Sequence, residues 1–330
     1  MKLIKSTSTI ALIIFSGIPS FVFGAKFYSL SVDQFCKTNF GNSSTARLNG
    51  NFAYSWKCQD IENNLHSVDM NLACMQQVHT SSVAVLLGGG SYDWRCVEWS
   101  DFDKQVVPVI IVARELVFDL KSINTAINNS TNVLNYVKRW YGQHTLDNMT
   151  FVFSRPLIVF SQQGIAYWNN LACQTAGERE RTKGCSQLMP TDRRILYDKA
   201  KELVLPIFKK VEGSTLSVSI FVFAGVSSSS PGLGAMGDIY TPRLNGGLYF
   251  NVQPPSVAAC DGSDLWCGTY SLGHELGHNF SNAGHACDRN PRPVNCHNSI
   301  TQFGKPPNAT LVDQELLDFQ KSPFLHSRAN

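Results

Sequence analysis

The chain has 330 residues, a formal net charge of +3, 43% hydrophobic residues and 16% charged residues. That length allows one large domain or two modest ones, and the composition excludes an intrinsically disordered chain. No Lys/Arg cluster is dense enough for a nucleic-acid footprint, so no nucleic-acid partner is expected.

Residues 1–24 read as a signal peptide. Lys2 and Lys5 form the positive region, Ile10 to Ile18 the apolar core, and Val22 and Gly24 suit a cleavage site. A retained anchor is the competing reading, but the apolar run is short for a membrane span. Cleavage after Gly24 removes two lysines and no acid, so the charge falls from +3 to +1. No later stretch is apolar enough to span a bilayer. The mature chain is therefore expected to be soluble and secreted, either extracellular or, in a bacterium, periplasmic.

All ten cysteines follow the signal, and an even count there implies disulfides formed in an oxidising compartment. No CxxC spacing occurs, which argues against a structural cysteine–zinc site. Sequential pairing is the simplest scheme: Cys36–Cys58, Cys74–Cys96, Cys173–Cys185, Cys260–Cys267 and Cys287–Cys296. An internal repeat supports the first two. Residues 36–58 and 74–96 align without a gap, and both end in Tyr-x-Trp-(Lys/Arg)-Cys. Trp56 and Trp94 are then expected to pack over their bridges.

Residues 25–104 therefore read as a small disulfide-stapled module. It resembles a Cys-rich module of secreted microbial proteins with an AYxWxC-type signature, a resemblance that carries no activity. Exposed aromatics on it would suit contact with a glycan or a cell surface. The favoured expectation is that Tyr54, Trp56, Tyr92 and Trp94 form its core. The glycine run Gly88–Gly90 reads as a turn.

Residues 105–330 read as a second domain. VVPVIIVA (106–113) is a β-branched run expected to be a buried strand. A helix is expected over 119–141, strands over 149–153 and 156–160, and a second helix over 192–211. A strand over 216–225 and a short hairpin made of GLGAMGDIY and GGLYFNV follow. The loop 227–234 separates them. A helix over 269–280, N-capped by Thr269, and a last helix over 310–320 complete the chain. Strands alternate with helices, so a mixed α/β sheet is expected.

The predicted helix at 269–280 carries His274-Glu275-Leu276-Gly277-His278. Histidines at i and i+4 share one helix face, so both imidazoles can ligate one zinc ion. Glu275 stands beside them as a general base for water. A catalytic zinc takes a third protein ligand and leaves a position open. His285 is the nearest candidate; Asp288, His297 and Glu315 are alternatives. His66, His79, His144 and His326 have no motif context.

The segment HELGHNFSNAGHACD (274–288) resembles the metzincin zinc metallopeptidases, especially the reprolysin-like (adamalysin) branch. By element order the resemblance runs over 105–320, and its motif lies in 272–285. It implies a mixed twisted sheet with a long active-site helix. It also implies one catalytic Zn2+ on His274, His278 and His285, Glu275 as base, and a protein or peptide substrate. The substrate would lie along a sheet edge near Gly232–Asp238. Ser281 stands where the family has a turn glycine, His285 comes one residue late, and Thr301 occupies the place of the family's turn methionine.

The expected function is a secreted zinc metalloendopeptidase. The alternative is a secreted surface- or glycan-binding protein whose metallopeptidase-like domain is inactive.

Overall fold

The computed structural model describes residues 25–98, 104–168, 198–204, 220–226, 247–249, 268–281, 286–288, 294–296, 309–322 and 324–327, together with 102, 171 and 299. They form a mixed α/β fold with several sheets, several helices and three disulfides.

The repeat is visible as two copies of a helix followed by a β-hairpin. In the first copy, α1 (Val32–Phe40) precedes β2 (Thr45–Leu48) and β3 (Trp56–Gln59). In the second, α2 (Met70–Gln77) precedes β5 (Ser82–Leu86) and β6 (Trp94–Glu98). Each helix is N-capped by a side chain, Ser31 for α1 and Asp69 for α2. The bridges Cys36–Cys58 and Cys74–Cys96 tie each helix to the last strand of its copy. Short strands flank the copies: β1 (Tyr28–Ser29) pairs with β6, and β4 (Leu65–Ser67) pairs with β3.

The four cysteines form one buried cluster with Val32, Phe35, Met70, Ala73 and Ala84, and both tryptophans pack against it. The tyrosines do not follow the expectation. Tyr54 is 53% exposed and Tyr92 69% exposed. Each ring lies edge-on to the tryptophan of the other copy (Tyr54–Trp94, Trp56–Tyr92), which leaves its outer face to solvent.

Among the described residues the main sheet has seven strands in the order β1-β6-β5-β9-β7-β10-β11. The last four named are β9 (Leu157–Phe160), β7 (Val106–Val112), β10 (Ile220–Val226) and β11 (Gly247–Tyr249), and neighbours among them run parallel. The β1-β6-β5 half is antiparallel and joins β9 through the pair Leu86–Ile158. The sheet thus runs without a break from the repeat into the chain beyond residue 105.

β7 is buried along its whole length, as a central parallel strand covered on both faces should be. Pro108 is tolerated there because the regular ladder to β9 starts only at Val109. Val107, Val109 and Ile111 face a core shared with Val83, Val85 and Val97 of the repeat and with Ala200 and Val204 of a helical segment at 198–204. Val106 faces the opposite core, under two long helices.

The first of these is α3 (Leu120–His144), opened by Asp119, whose side chain accepts the Ser122 amide. Its apolar positions Val133, Leu134, Val137, Trp140 and Tyr141 recur at helical spacing and are all buried. Gly89 of the repeat meets its first turn closely. A Cβ there would lie 2.7 Å from Leu120 Cδ2 and 2.9 Å from Ile123 Cδ1.

The second is the motif helix, α4 (Gly268–Ser281), which begins before Thr269, so that residue lies inside the helix rather than capping it. The final helix, α5 (Asp313–Gln320), starts later than the expected residue 310. Thr310 instead bridges Ser299 in parallel, and the extended chain lasts through Val312. A two-stranded pair, β8 (Thr150–Phe151) with β12 (Leu325–His326), closes this end.

Cys287–Cys296 is formed as expected. Cys173, Cys185, Cys260 and Cys267 lie outside the described residues, as do 1–24, most of the expected helix over 192–211, and Gly232–Asp238. Among the described residues no helix is long and apolar enough to cross a membrane.

Candidate metal centre

Leu272, Leu276 and Phe280 form an i, i+4, i+8 stripe on α4, and all three are at most 2% exposed. They lie in the core that α3 and α5 also line, with Val137, Tyr141 and Phe319. This stripe turns one side of α4 toward the protein, to within the slack of apolar packing. The histidines are offset from it by two residues, so they project from a different side of the helix.

His274 and His278 are nevertheless buried, at 9% and 6% exposure. Their Nε2 atoms are 3.1 Å apart and their rings are perpendicular. Two imidazole nitrogens at that distance leave two chemical solutions. In one, a neutral ring donates its proton to the other. In the other, both neutral nitrogens point their lone pairs at one cation. Nitrogen ligands about 2.0–2.1 Å from a tetrahedral zinc sit about 3.4 Å from each other, so the observed pair fits a shared ion with little adjustment. Imidazole is also a donor type that zinc favours.

Glu275 lies on α4 between the two histidines in sequence, and its side chain is outside the described residues. His285 is outside them too, as are His297 and Thr301. Asp288 closes a short 3-10 turn (Ala286–Asp288), and the neighbouring Cys287 is bridged to Cys296. Among the described residues no group of three His, Cys, Asp or Glu side chains converges on one point.

Glu315, the carboxylate alternative for a third ligand, is engaged elsewhere. It is fully buried on α5, where Ser299 Oγ donates to Oε1 at 2.6 Å and the Val312 amide donates to Oε2 at 3.0 Å. Both oxygens therefore pin the chain that follows the motif helix onto the start of α5.

Tyr141 is a residue that sequence reasoning passed over. Its hydroxyl donates to the Gly273 carbonyl at 2.7 Å, one residue before the first histidine. Burial, and then the negative charge of Glu315, push its pKa well above the ordinary phenol value, so it stays a donor. Its spacing after Leu134 and Val137 does predict a buried ring. Its polar partner lies 132 residues away and leaves no local trace.

No protein-family model matches this chain, and no curated protein matches its sequence.

Proposed function

We propose that this protein is a zinc-dependent endopeptidase that works in an oxidising, extracytoplasmic compartment. The observation that carries the reading is the buried His274/His278 pair, with nitrogens 3.1 Å apart on a helix that also holds Glu275. Such a pair needs a reason to be buried, because histidine is usually at least partly solvated.

His274 and His278 would hold the ion, and His285, seven residues after His278 in the sequence, is the proposed third ligand. Bound there, zinc supplies Lewis acidity toward water and the scissile carbonyl. Glu275 accepts the proton from the attacking water and later delivers it to the leaving amine. Neutral imidazole is the form that ligates a metal.

The metzincin label is supported by the order strand, helix, then parallel strands before the motif helix. Export is supported by three disulfides, which persist where thiols are not kept reduced.

The test is metal content together with cleavage of casein or gelatin, comparing wild type with Glu275→Ala. One zinc per chain in both, with cleavage lost by at least about a hundredfold in the variant, is the expected result. Zinc in both with equal inactivity would favour a binding protein, and absence of zinc would remove the reading altogether.

A further inference from the structure

Tyr141 belongs to α3, yet it holds α4 on both sides of the histidine turn. Its hydroxyl reaches the Gly273 carbonyl before His274, at 2.7 Å. Its ring meets Phe280, beyond His278, edge-on at 5.1 Å between centroids. Phe151 and Phe319 box the same ring at 6.3 and 5.7 Å.

The hydroxyl bond is not one that α4 needs for its own sake. An interior helical carbonyl already accepts from the amide four residues on, here Gly277. Tyr141 takes the second lone pair. A phenylalanine would fill the same aromatic box, so packing alone does not require the oxygen. What the oxygen adds is a fixed point between the two helices, next to the first candidate ligand.

That point controls roll. Turning a helix by about 10° moves a ring nitrogen about 6 Å from its axis by about 1 Å, beyond the roughly 0.5 Å that a preorganised site tolerates. The aromatic box resists tilting and separation, but smooth ring faces resist rolling poorly. A directional hydrogen bond resists it better.

We propose that Tyr141 is a positioning residue for the metal pair: through Gly273, its hydroxyl fixes the roll of α4, and with it the direction in which His274 and His278 together present their Nε2 atoms to an ion. This rests on the zinc reading above, and its test separates the two.

The experiment compares wild type, Tyr141→Phe and Phe319→Leu in the full chain. Zinc affinity is measured by competition with a chromophoric chelator, and the cobalt-substituted proteins are examined by visible absorption. Tyr141→Phe should stay folded, bind zinc about tenfold more weakly, as when outer-shell partners are removed, and give an altered cobalt band. Phe319→Leu removes buried volume beside the same ring without touching a polar group. It should lower stability and leave both readouts as in wild type. Zinc affinity within twofold of wild type and an unchanged cobalt band in Tyr141→Phe overturn this inference alone. Equal weakening by Phe319→Leu overturns it too, since the effect would then be general loosening. A wild type that takes up no zinc overturns the site reading, and this inference with it.

Discussion

Trp56 and Trp94 stand 38 residues apart at equivalent positions of the repeat, and each donates its indole N–H to the other copy. Trp56 Nε1 reaches the Ser91 carbonyl at 2.6 Å, and Trp94 Nε1 reaches the Ala53 carbonyl at 2.7 Å. Ser91 and Ala53 are themselves equivalent. The Phe52–Gly90 bridge joins the same two loops, as do the bonds from the Ala53 amide to the Gly89 carbonyl and from the Ser91 amide to the Asn51 carbonyl. The copies therefore clasp each other reciprocally, as two subunits of a twofold dimer would.

The clasp makes the two tryptophans unequal in one respect. Trp56 packs on the disulfide cluster alone, whereas Trp94 packs on that cluster and on the core with Ile110, Ile123 and Ile158. Replacing either by Phe strips a half-buried carbonyl of its partner, at about 1–2 kcal/mol. Trp94→Phe should cost about 1 kcal/mol more, through lost packing against the sheet. Urea unfolding of both variants measures this; an equal or larger loss for Trp56→Phe contradicts it.

A chain that begins at Gln105 should not fold. It would lack β5 beside β9, and Val83, Val85 and Val97 from the core around Val107 and Val109. It would also lose Ala53 and Leu86 from the core with Ile110. Those apolar faces would then meet water at about 25 cal/mol per Å². Near-UV circular dichroism and size-exclusion chromatography of this truncation should report an aggregated or unstructured chain. A native near-UV spectrum would mean that the sheet beyond β9 is dispensable.

Much of this architecture is legible in the sequence. β-branched residues without polar interruption mark β7, and the repeated spacing of Val133, Val137 and Trp140 marks α3. The cysteine-bounded repeat gives two of the bridges, and the i, i+4 histidines give the pair. What escapes is what long-range contact decides. The junction between repeat and sheet is the single pair Leu86–Ile158, and no local pattern encodes it. Tyr54 and Tyr92 look like core residues because they are aromatic, but each lies edge-on to the other copy's tryptophan, Tyr54 also to Phe160 of β9, with its remaining surface exposed. The start of α5 shifts because the Glu315 carboxylate captures the Val312 amide three residues before it, while Ser299, sixteen residues away, holds the other carboxylate oxygen.

Acid should loosen the hairpin of β3 and β4. Asp60 accepts from the Glu62 and Asn64 amides and meets His66 Nε2 at 2.8 Å. The His66 contact first, and the Asn64 and Glu62 bonds after it, lower its pKa from 3.8 to about 2. A carboxylate held below its unfolded value stabilises the fold above the unfolded pKa and loses that contribution as pH falls through the folded one. The window is therefore about pH 4 down to about pH 2. Asp60→Asn should flatten the stability profile across that window, measured by thermal unfolding at successive pH values. A profile as steep as wild type would show that Asp60 is not the group responsible.

The segment after the motif helix depends on one buried carboxylate. Glu315 is fully buried and receives the Ser299 hydroxyl at 2.6 Å and the Val312 amide at 3.0 Å. Glu315→Ala orphans both donors and leaves a cavity, so it should cost about 3–5 kcal/mol. Glu315→Gln keeps the volume and one good acceptor, and should cost about 1–2 kcal/mol. Ser299→Ala leaves the carboxylate short of one donor, at about 1.5–3 kcal/mol. Since Ser299 and Glu315 act on each other, the double variant Ser299→Ala/Glu315→Ala should cost less than the two single losses added together. Denaturant unfolding of the four proteins tests that. Strict additivity would mean that the 2.6 Å contact carries no coupling and that Glu315 stabilises α5 alone.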